Sequence, residues 1–230
     1  MAKNAIMKGN VPYVPAQPEK IYRKLTKKDF QGMPLVKKAY FLAVQAHDGQ
    51  YRKSEPKVPY IVHPTDVREI LIEEGYENDK ELLAAALLHD VVEDTPYTIE
   101  NIEKIFGADV SRLVSCATEK KELSWEDRKQ AKIDSVKNFS PREKLIIVAD
   151  EISNLCSLKK EFDDKGKMDF SLYSRGEEKQ KWKFGRMMES LCYDNVESIA
   201  ILSRLRKAYN DVFGKDAKFG HSKKAHRQHE

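Results

Sequence analysis

From Leu35 to Phe213 the apolar residues return every three or four positions, and almost nowhere every second one. That is the period of helices, and it excludes a sheet as the main layer. "PLVKKAYFLAVQAHDG" carries Leu35, Ala39, Leu42, Ala43 and Ala46 on one face, with a proline at its start and a glycine just past its end. "HPTDVREILIEEG" places His63 just before a helix that stops at Gly75. "DKELLAAALLHDVVED" reads as one continuous helix ended by Thr95-Pro96. "TIENIEKIFG" has an imperfect capping box from Thr98 to Asn101, and Gly107 closes it. Further helices follow in "ADVSRLVSCAT", "SWEDRKQAKIDSVKNF", "SPREKLIIVADEISNLCSLKKEF", "DFSLYSRGEEKQKWKFGRMMESL" and "NVESIAILSRLRKAYNDVFG". Only "VPYIV" is strand-like, and it is short. The expected fold is all-α, a single helical bundle of about eight or nine helices over residues 31–214. An irregular N-terminal extension with Pro12, Pro15 and Pro18 fills residues 1–30, and residues 215–230 read as a flexible basic tail.

Charge narrows the partners. Lys and Arg number 41 against 37 Asp and Glu, a net +4 that is too balanced to argue for nucleic acid. A nucleic-acid reading through "KKAHRQH" is the weakest alternative; it predicts salt-dependent binding that truncation after Gly214 removes. Cys116, Cys156 and Cys192 are widely spaced, odd in number and form no CxxC, which suits three reduced core thiols. "MAKNAIMKGNVPYVP" lacks the apolar centre of a signal peptide, and no apolar run approaches the roughly 20 residues of a membrane span. The expectation is a cytoplasmic protein with no membrane partner. Oligomeric state is left open.

"LLAAALLHDVVEDTPYT" (82–98) then raises a conflict. Its first half is apolar on every side and must be buried. Its second half places His89, Asp90, Glu93 and Asp94 on the same element. Buried charges need a partner or a metal. His47 and His63 lie upstream, whereas His221, His226 and His229 fall in the polar tail. In "LIIVADEISNL", Asp150 interrupts an apolar helix and Asn154 stands one turn on, on the same face. The apolar side is carried by Leu145, Val148, Ala149, Ile152 and Leu155. His63, His89, Asp90 and Asp150 together form a two-imidazole, two-carboxylate set suited to Mn²⁺, Fe²⁺, Co²⁺ or Zn²⁺. Glu93 and Asp94, one turn beyond His89 and Asp90, fall where a general acid or base belongs.

The combination resembles the HD-domain metal-dependent phosphohydrolases, and within them the hydrolase domain of the RelA/SpoT alarmone enzymes and their stand-alone small relatives. The similar stretches are "AHDGQYRK" (47–53 within it), "PYIVHP" (59–64), "AALLHDVVEDT" (85–95), "FGADVSRLV" (106–114), "SWEDRK" (124–129), "ADEISNL" (149–155) and "RGEEKQKW" (175–182). The resemblance implies a Mn²⁺-dependent hydrolase, another divalent transition metal being possible. It would remove the 3′-pyrophosphate of guanosine tetra- or pentaphosphate to give GDP or GTP. Its small-molecule partner is thus a phosphorylated nucleotide. By position it implies metal ligands His63, His89, Asp90 and Asp150. Glu93, Asp94 and Asn154 are the implied catalytic residues. Arg52, Lys53, Lys121, Arg128, Ser157, Lys179 and Trp182 are the implied substrate contacts, with Phe184 a second aromatic candidate.

Two positions depart from that pattern. Glu151 and Cys156 stand where members of the family usually or often carry a basic residue. If Glu151 faces the pocket, substrate affinity or identity changes; if it faces solvent, little does. Two alternatives therefore stay open: an HD phosphatase acting on NADPH or a nucleoside monophosphate, and a metal-holding module that senses a nucleotide without turning it over.

Overall fold

The protein is described by a computed structural model covering residues 24–54, 56–119, 121–166, 170–173, 175–192 and 199–214. Among the described residues it is all-α. The helices are α1 (Leu35–Ala46), α2 (Val62–Glu73), α3 (Lys80–Leu88), α4 (Val91–Asp94), α5 (Ile99–Phe106), α6 (Ala108–Ala117), α7 (Trp125–Val136), α8 (Pro141–Lys165), α9 (Gly176–Leu191) and α10 (Ile199–Phe213). Nine of these run eight residues or more, and α4 is a single turn. "VPYIV" forms no named strand; its Pro59 makes one isolated bridge to Tyr51. No helix of the described residues is long and apolar enough to cross a membrane.

The chemistry of α3 makes it the centre. Every residue from Leu82 to Leu88 is buried, so the helix needs neighbours on all sides. It has them in α1, α2, α6 and α8. The long α8 continues the core, packing on α2 and α10, while α9 lies against α7 and α10. The apolar face expected on α8 is inside: Leu145, Val148, Ala149, Ile152 and Leu155 are all buried. Packing also reaches back into the stretch read as an irregular extension. Leu25 and Phe30 belong to the core, and the Leu25 N–H donates to the Tyr97 hydroxyl at 2.7 Å. Residues 1–23 and the basic tail lie outside the described residues.

Local signals set the helix ends. Thr98 and Asn101 complete the capping box: the Thr98 hydroxyl accepts from the Asn101 N–H, and the Asn101 amide oxygen accepts from the Thr98 N–H. Ser140 and Glu143 make a second one, with Pro141 at the first position of α8. Between α5 and α6 a single residue, Gly107, turns the chain at φ 94°, a conformation that side chains other than glycine's strain to adopt. Asp79 does two jobs. Its carboxylate caps α3 by accepting from the Leu82 N–H at 3.0 Å, and it receives Nε and Nη2 of Arg142 at 2.9 and 2.6 Å. It thereby ties the start of α3 to the start of α8. Asp79→Ala is expected to lower unfolding free energy by about 1–3 kcal/mol with activity per folded molecule unchanged, as read by urea denaturation beside a specific-activity assay.

Three expectations are corrected. The continuous helix through "LLHDVVED" breaks at His89–Asp90 into α3 and α4. The Ala86 carbonyl, which an unbroken helix offers to the residue four on, accepts from His89 Nδ1 at 2.8 Å. His63 lies inside the first turn of α2 rather than before it; a proline in the first turn gives up no helical hydrogen bond, so Pro64 does not delay the start. Of the three cysteines only Cys116 is buried, while Cys156 is exposed and Cys192 half-buried. All three are free thiols.

Candidate active site

The break between α3 and α4 turns His89 and Asp90 toward α2 and α8. His63 Nε2 and His89 Nε2 come within 3.2 Å of each other. Asp90 Oδ2 lies 3.5 Å from His63 Nε2 and 3.1 Å from His89 Nε2. Asp150 Oδ1 lies 3.0 and 3.8 Å from the same two nitrogens. Metal–ligand bonds of about 2.1 Å at tetrahedral or octahedral angles hold donor atoms roughly 3.0–3.4 Å apart. Three of the five separations fall in that range, and the other two, 3.5 and 3.8 Å, lie above it. His63, His89 and Asp90 bring one ligand atom each within 4.8 Å of one another, and Asp150 joins through its contacts to both rings.

Donor chemistry also fits a cation. His89 Nδ1 gives its proton to the Ala86 carbonyl, so in the neutral ring Nε2 presents a lone pair toward two carboxylates. His63 Nδ1 is tied to the Ser153 hydroxyl at 3.0 Å. These outer contacts fix both ring orientations, as in metal-binding histidines. Lone pairs and carboxylates cannot converge without a positive species among them. In the protein alone that species is a proton. Burial opposes it, but Asp90, Asp150 and the Ala86 carbonyl outweigh burial and lift His89 to about 9. His63, at 3.2 Å from that charge, is instead pushed below the usual histidine range, chiefly by burial. Burial would raise Asp150, yet its bond to His63 and the charge of His89 hold it down at about 2.

A second set of groups surrounds the four. Tyr60 puts its hydroxyl 2.7 Å from Asp90 Oδ2 and 3.2 Å from Asp94 Oδ2, bridging α3's end to α4. Asn154 donates to Asp150 Oδ1 at 2.7 Å and accepts from Arg52 Nη2 at 2.8 Å. Asp94 is held by Lys121 at 3.1 Å, and its backbone carbonyl by Gln50. Glu93 accepts from the Glu119 N–H at 3.2 Å. Burial, then the negative charges of Glu119 and Asp90, raise its carboxyl to about 7, in the range suited to a general base near neutral pH. His47 supports from behind: it stacks on Tyr60 at 4.7 Å and bonds Gln50 through Nδ1.

These groups open on a cavity of about 700 Å³ including its solvent-filled mouth. Arg52, Tyr60, His63, Asp90, Glu93, Asp94, Asp150 and Asn154 line it. Glu119, Lys129, Lys132, Glu151 and Lys183 line it as well, with Ala117, Ile147 and Met187 as its apolar members. Glu151 is thus on the cavity side and buried, with Lys183 Nζ 3.0 Å from its Oε2. This settles which way it faces: the negative charge points inward and carries its own counter-ion.

Of the sequence-derived substrate contacts only Arg52 lines the cavity. Lys121 pairs with Asp94 near it, and Arg128 lies 3.9 Å from Glu93 and 3.7 Å from Glu119. Lys53 stands over the Tyr173 ring, Ser157 bonds the Ser153 carbonyl, and Lys179 lies over Trp182, 3.8 Å from Glu126. Trp182 tilts against Trp125, and Phe184 is core. Tyr60, Lys129, Lys132 and Lys183 were not singled out from sequence. Tyr60 carried a signal, three residues before His63 where α2 begins. The lysines carried none, being ordinary members of charged helix faces until packing turned them inward.

Comparison with known proteins agrees with this geometry. The HD domain profile matches residues 39–171. A guanosine-3′,5′-bis(diphosphate) 3′-pyrophosphohydrolase of Xenopus tropicalis is 42% identical over 126 residues, 55% of this chain and 70% of that protein. The Homo sapiens protein of the same description is 42% identical over 116 residues, 50% of this chain and 65% of its own length. The bifunctional (p)ppGpp synthase/hydrolase SpoT of Escherichia coli K12 is 39% identical over 129 residues, and the match spans 18% of it. Among solved structures, a metazoan ortholog of SpoT described as hydrolysing ppGpp superposes with a TM-score of 0.67 at 30% identity, over 79% of this chain and 97% of that one. A Listeria monocytogenes EGD-e protein superposes at 0.62 and 37% identity, over 66% and 99%. With the profile covering more than half of its 230 residues, the chain belongs to the HD-domain family.

Proposed function

We propose that this protein hydrolyses the 3′-diphosphate of guanosine tetraphosphate and pentaphosphate, using a divalent cation, Mn²⁺, at His63, His89, Asp90 and Asp150. The observation that carries the reading is the convergence of these four side chains beside Glu93 and Asp94, in a chain 42% identical over 126 residues to an enzyme of that name. When bound, the cation supplies Lewis acidity, favouring ionisation of water and drawing charge from phosphoryl oxygens. Glu93 accepts the proton of the attacking water. Asp94, kept in place by Tyr60, Lys121 and the Gln50 contact to its carbonyl, orients that water. Arg52, fixed by Asn154, brings a positive charge to the phosphates. The water oxygen bonds to the proximal phosphorus of the 3′-diphosphate as the P–O3′ bond breaks. The ribose oxygen takes up a proton, leaving GDP or GTP and pyrophosphate. Lys53, Lys121, Arg128, Ser157, Lys179 and Trp182 serve the part of the nucleotide that extends out of the cavity.

Pyrophosphate release from guanosine tetraphosphate with added Mn²⁺, measured beside NADPH and nucleoside monophosphates, tests this reading. Release of pyrophosphate from the alarmone with little turnover of the others is expected. Orthophosphate release from NADPH or a monophosphate, with none from the alarmone, would reassign the substrate. Tight alarmone binding with no turnover of any substrate would leave a sensing module.

A further inference from the structure

The cavity carries charges of both signs. Asp90, Asp150, Glu93 and Asp94 line it together with Arg52, which suits a cation. Three lysines line the same cavity, Lys129 and Lys132 from α7 and Lys183 from α9. Two carboxylates answer them. Glu119 lies 2.7 Å from Lys129, and Glu151 lies 3.0 Å from Lys183. Lys132 makes no ion pair with either of these carboxylates. It is 9% exposed, and its Nζ donates to the Cys116 carbonyl, a neutral acceptor. Burial pulls its ammonium below the usual lysine range against the attraction of the surrounding negative groups. A buried ammonium whose direct acceptor is a neutral carbonyl is costly to keep, and an anion arriving in the cavity lowers that cost.

We propose that Lys132 and Lys183, with Lys129, form an anion subsite that takes the distal phosphate of the substrate's 3′-diphosphate while the proximal phosphate lies at the His63–His89–Asp90–Asp150 set. The proposal rests on the pyrophosphohydrolase reading for its ligand and on the three cavity-lining lysines for its place. Glu151 then acts as a positioning residue: its carboxylate holds the Lys183 ammonium at the cavity wall. The basic charge absent from position 151 is delivered from α9 instead.

Inorganic pyrophosphate is the probe, titrated calorimetrically into the metal-loaded full chain, with metal content measured before and after. Lys132→Met and Lys183→Met are each expected to weaken pyrophosphate binding by about tenfold or more. GDP binding should stay within about twofold, and Lys207→Met on the exposed face of α10 should leave both unchanged. Pyrophosphate affinity unchanged in both lysine variants would overturn the subsite, as would a loss confined to GDP. Should Lys132→Met lose its helical circular dichroism, Lys183→Met and Lys129→Met decide the question. The titration needs no turnover. Retained pyrophosphate binding in the variants removes the subsite while parent activity leaves the function standing. An inactive parent whose pyrophosphate binding depends on the lysines removes the function and leaves the subsite.

Discussion

Replacing Glu93 and Asp94 together by alanine is expected to lower kcat on guanosine tetraphosphate by about 10²–10⁴-fold without loss of bound metal. Unlike Asp90 and Asp150, neither residue pairs with the His63 and His89 imidazoles, so metal content by mass spectrometry should match the parent. A parallel loss of metal would place them among the ligands instead. The single change Glu119→Gln separates the two carboxylates further. The Glu119 charge is, after burial, the largest influence raising Glu93. A negative neighbour favours the protonated acid, so removing it lowers the pKa of Glu93. The acid limb of kcat/KM should therefore move to lower pH. A bound cation acts in the same direction in both proteins, which makes the displacement between them the readout. A limb that stays in place would mean that Glu93 is not the group titrating.

The second large effect is expected from Asp150→Ala. Asp150 approaches both imidazoles, at 3.0 and 3.8 Å, and also anchors Asn154, which in turn holds Arg52. Its removal should weaken metal binding by more than the roughly 10–100-fold typical of losing an outer contact, and abolish turnover at any practical metal concentration. The helix should survive, because the apolar residues that bury α8, Leu145, Val148, Ala149, Ile152 and Leu155, are untouched. Stability offers an independent check. A metal bound only by the folded state raises Tm with its concentration. Chelation should lower the parent's Tm and leave that of Asp150→Ala nearly unmoved. Equal chelator shifts in the two proteins would remove Asp150 from the ligand set.

Much of the framework is legible in the chain because it depends on neighbours in sequence. Capping at Thr98 and Ser140, the all-apolar run of α3 and the one-turn spacing of Asp150 and Asn154 are local properties. So is the conflict at His89–Asp90, where carboxylates and an imidazole follow a helix that has to be buried. What periodicity could not show was the break between α3 and α4, since both pieces are helical and the interruption comes from a side chain competing for the Ala86 carbonyl. The start of α2 was misplaced for a similar reason: proline marks a first turn without saying which position in it.

By itself, then, the sequence determined an all-α chain and four ligand-type side chains on or beside three helical segments, because helical period and residue chemistry act over a turn or two. Tertiary structure decided what those side chains meet. It brought His63 and His89 to 3.2 Å across 26 residues and Arg52 to Asn154 across 102. It also turned Glu151 inward onto Lys183, and brought lysines of α7 and α9 to the wall of one cavity. Such placements follow from how α7, α8 and α9 pack, and a charged residue on an amphipathic helix does not reveal whether its face will meet water or a cavity until that packing exists.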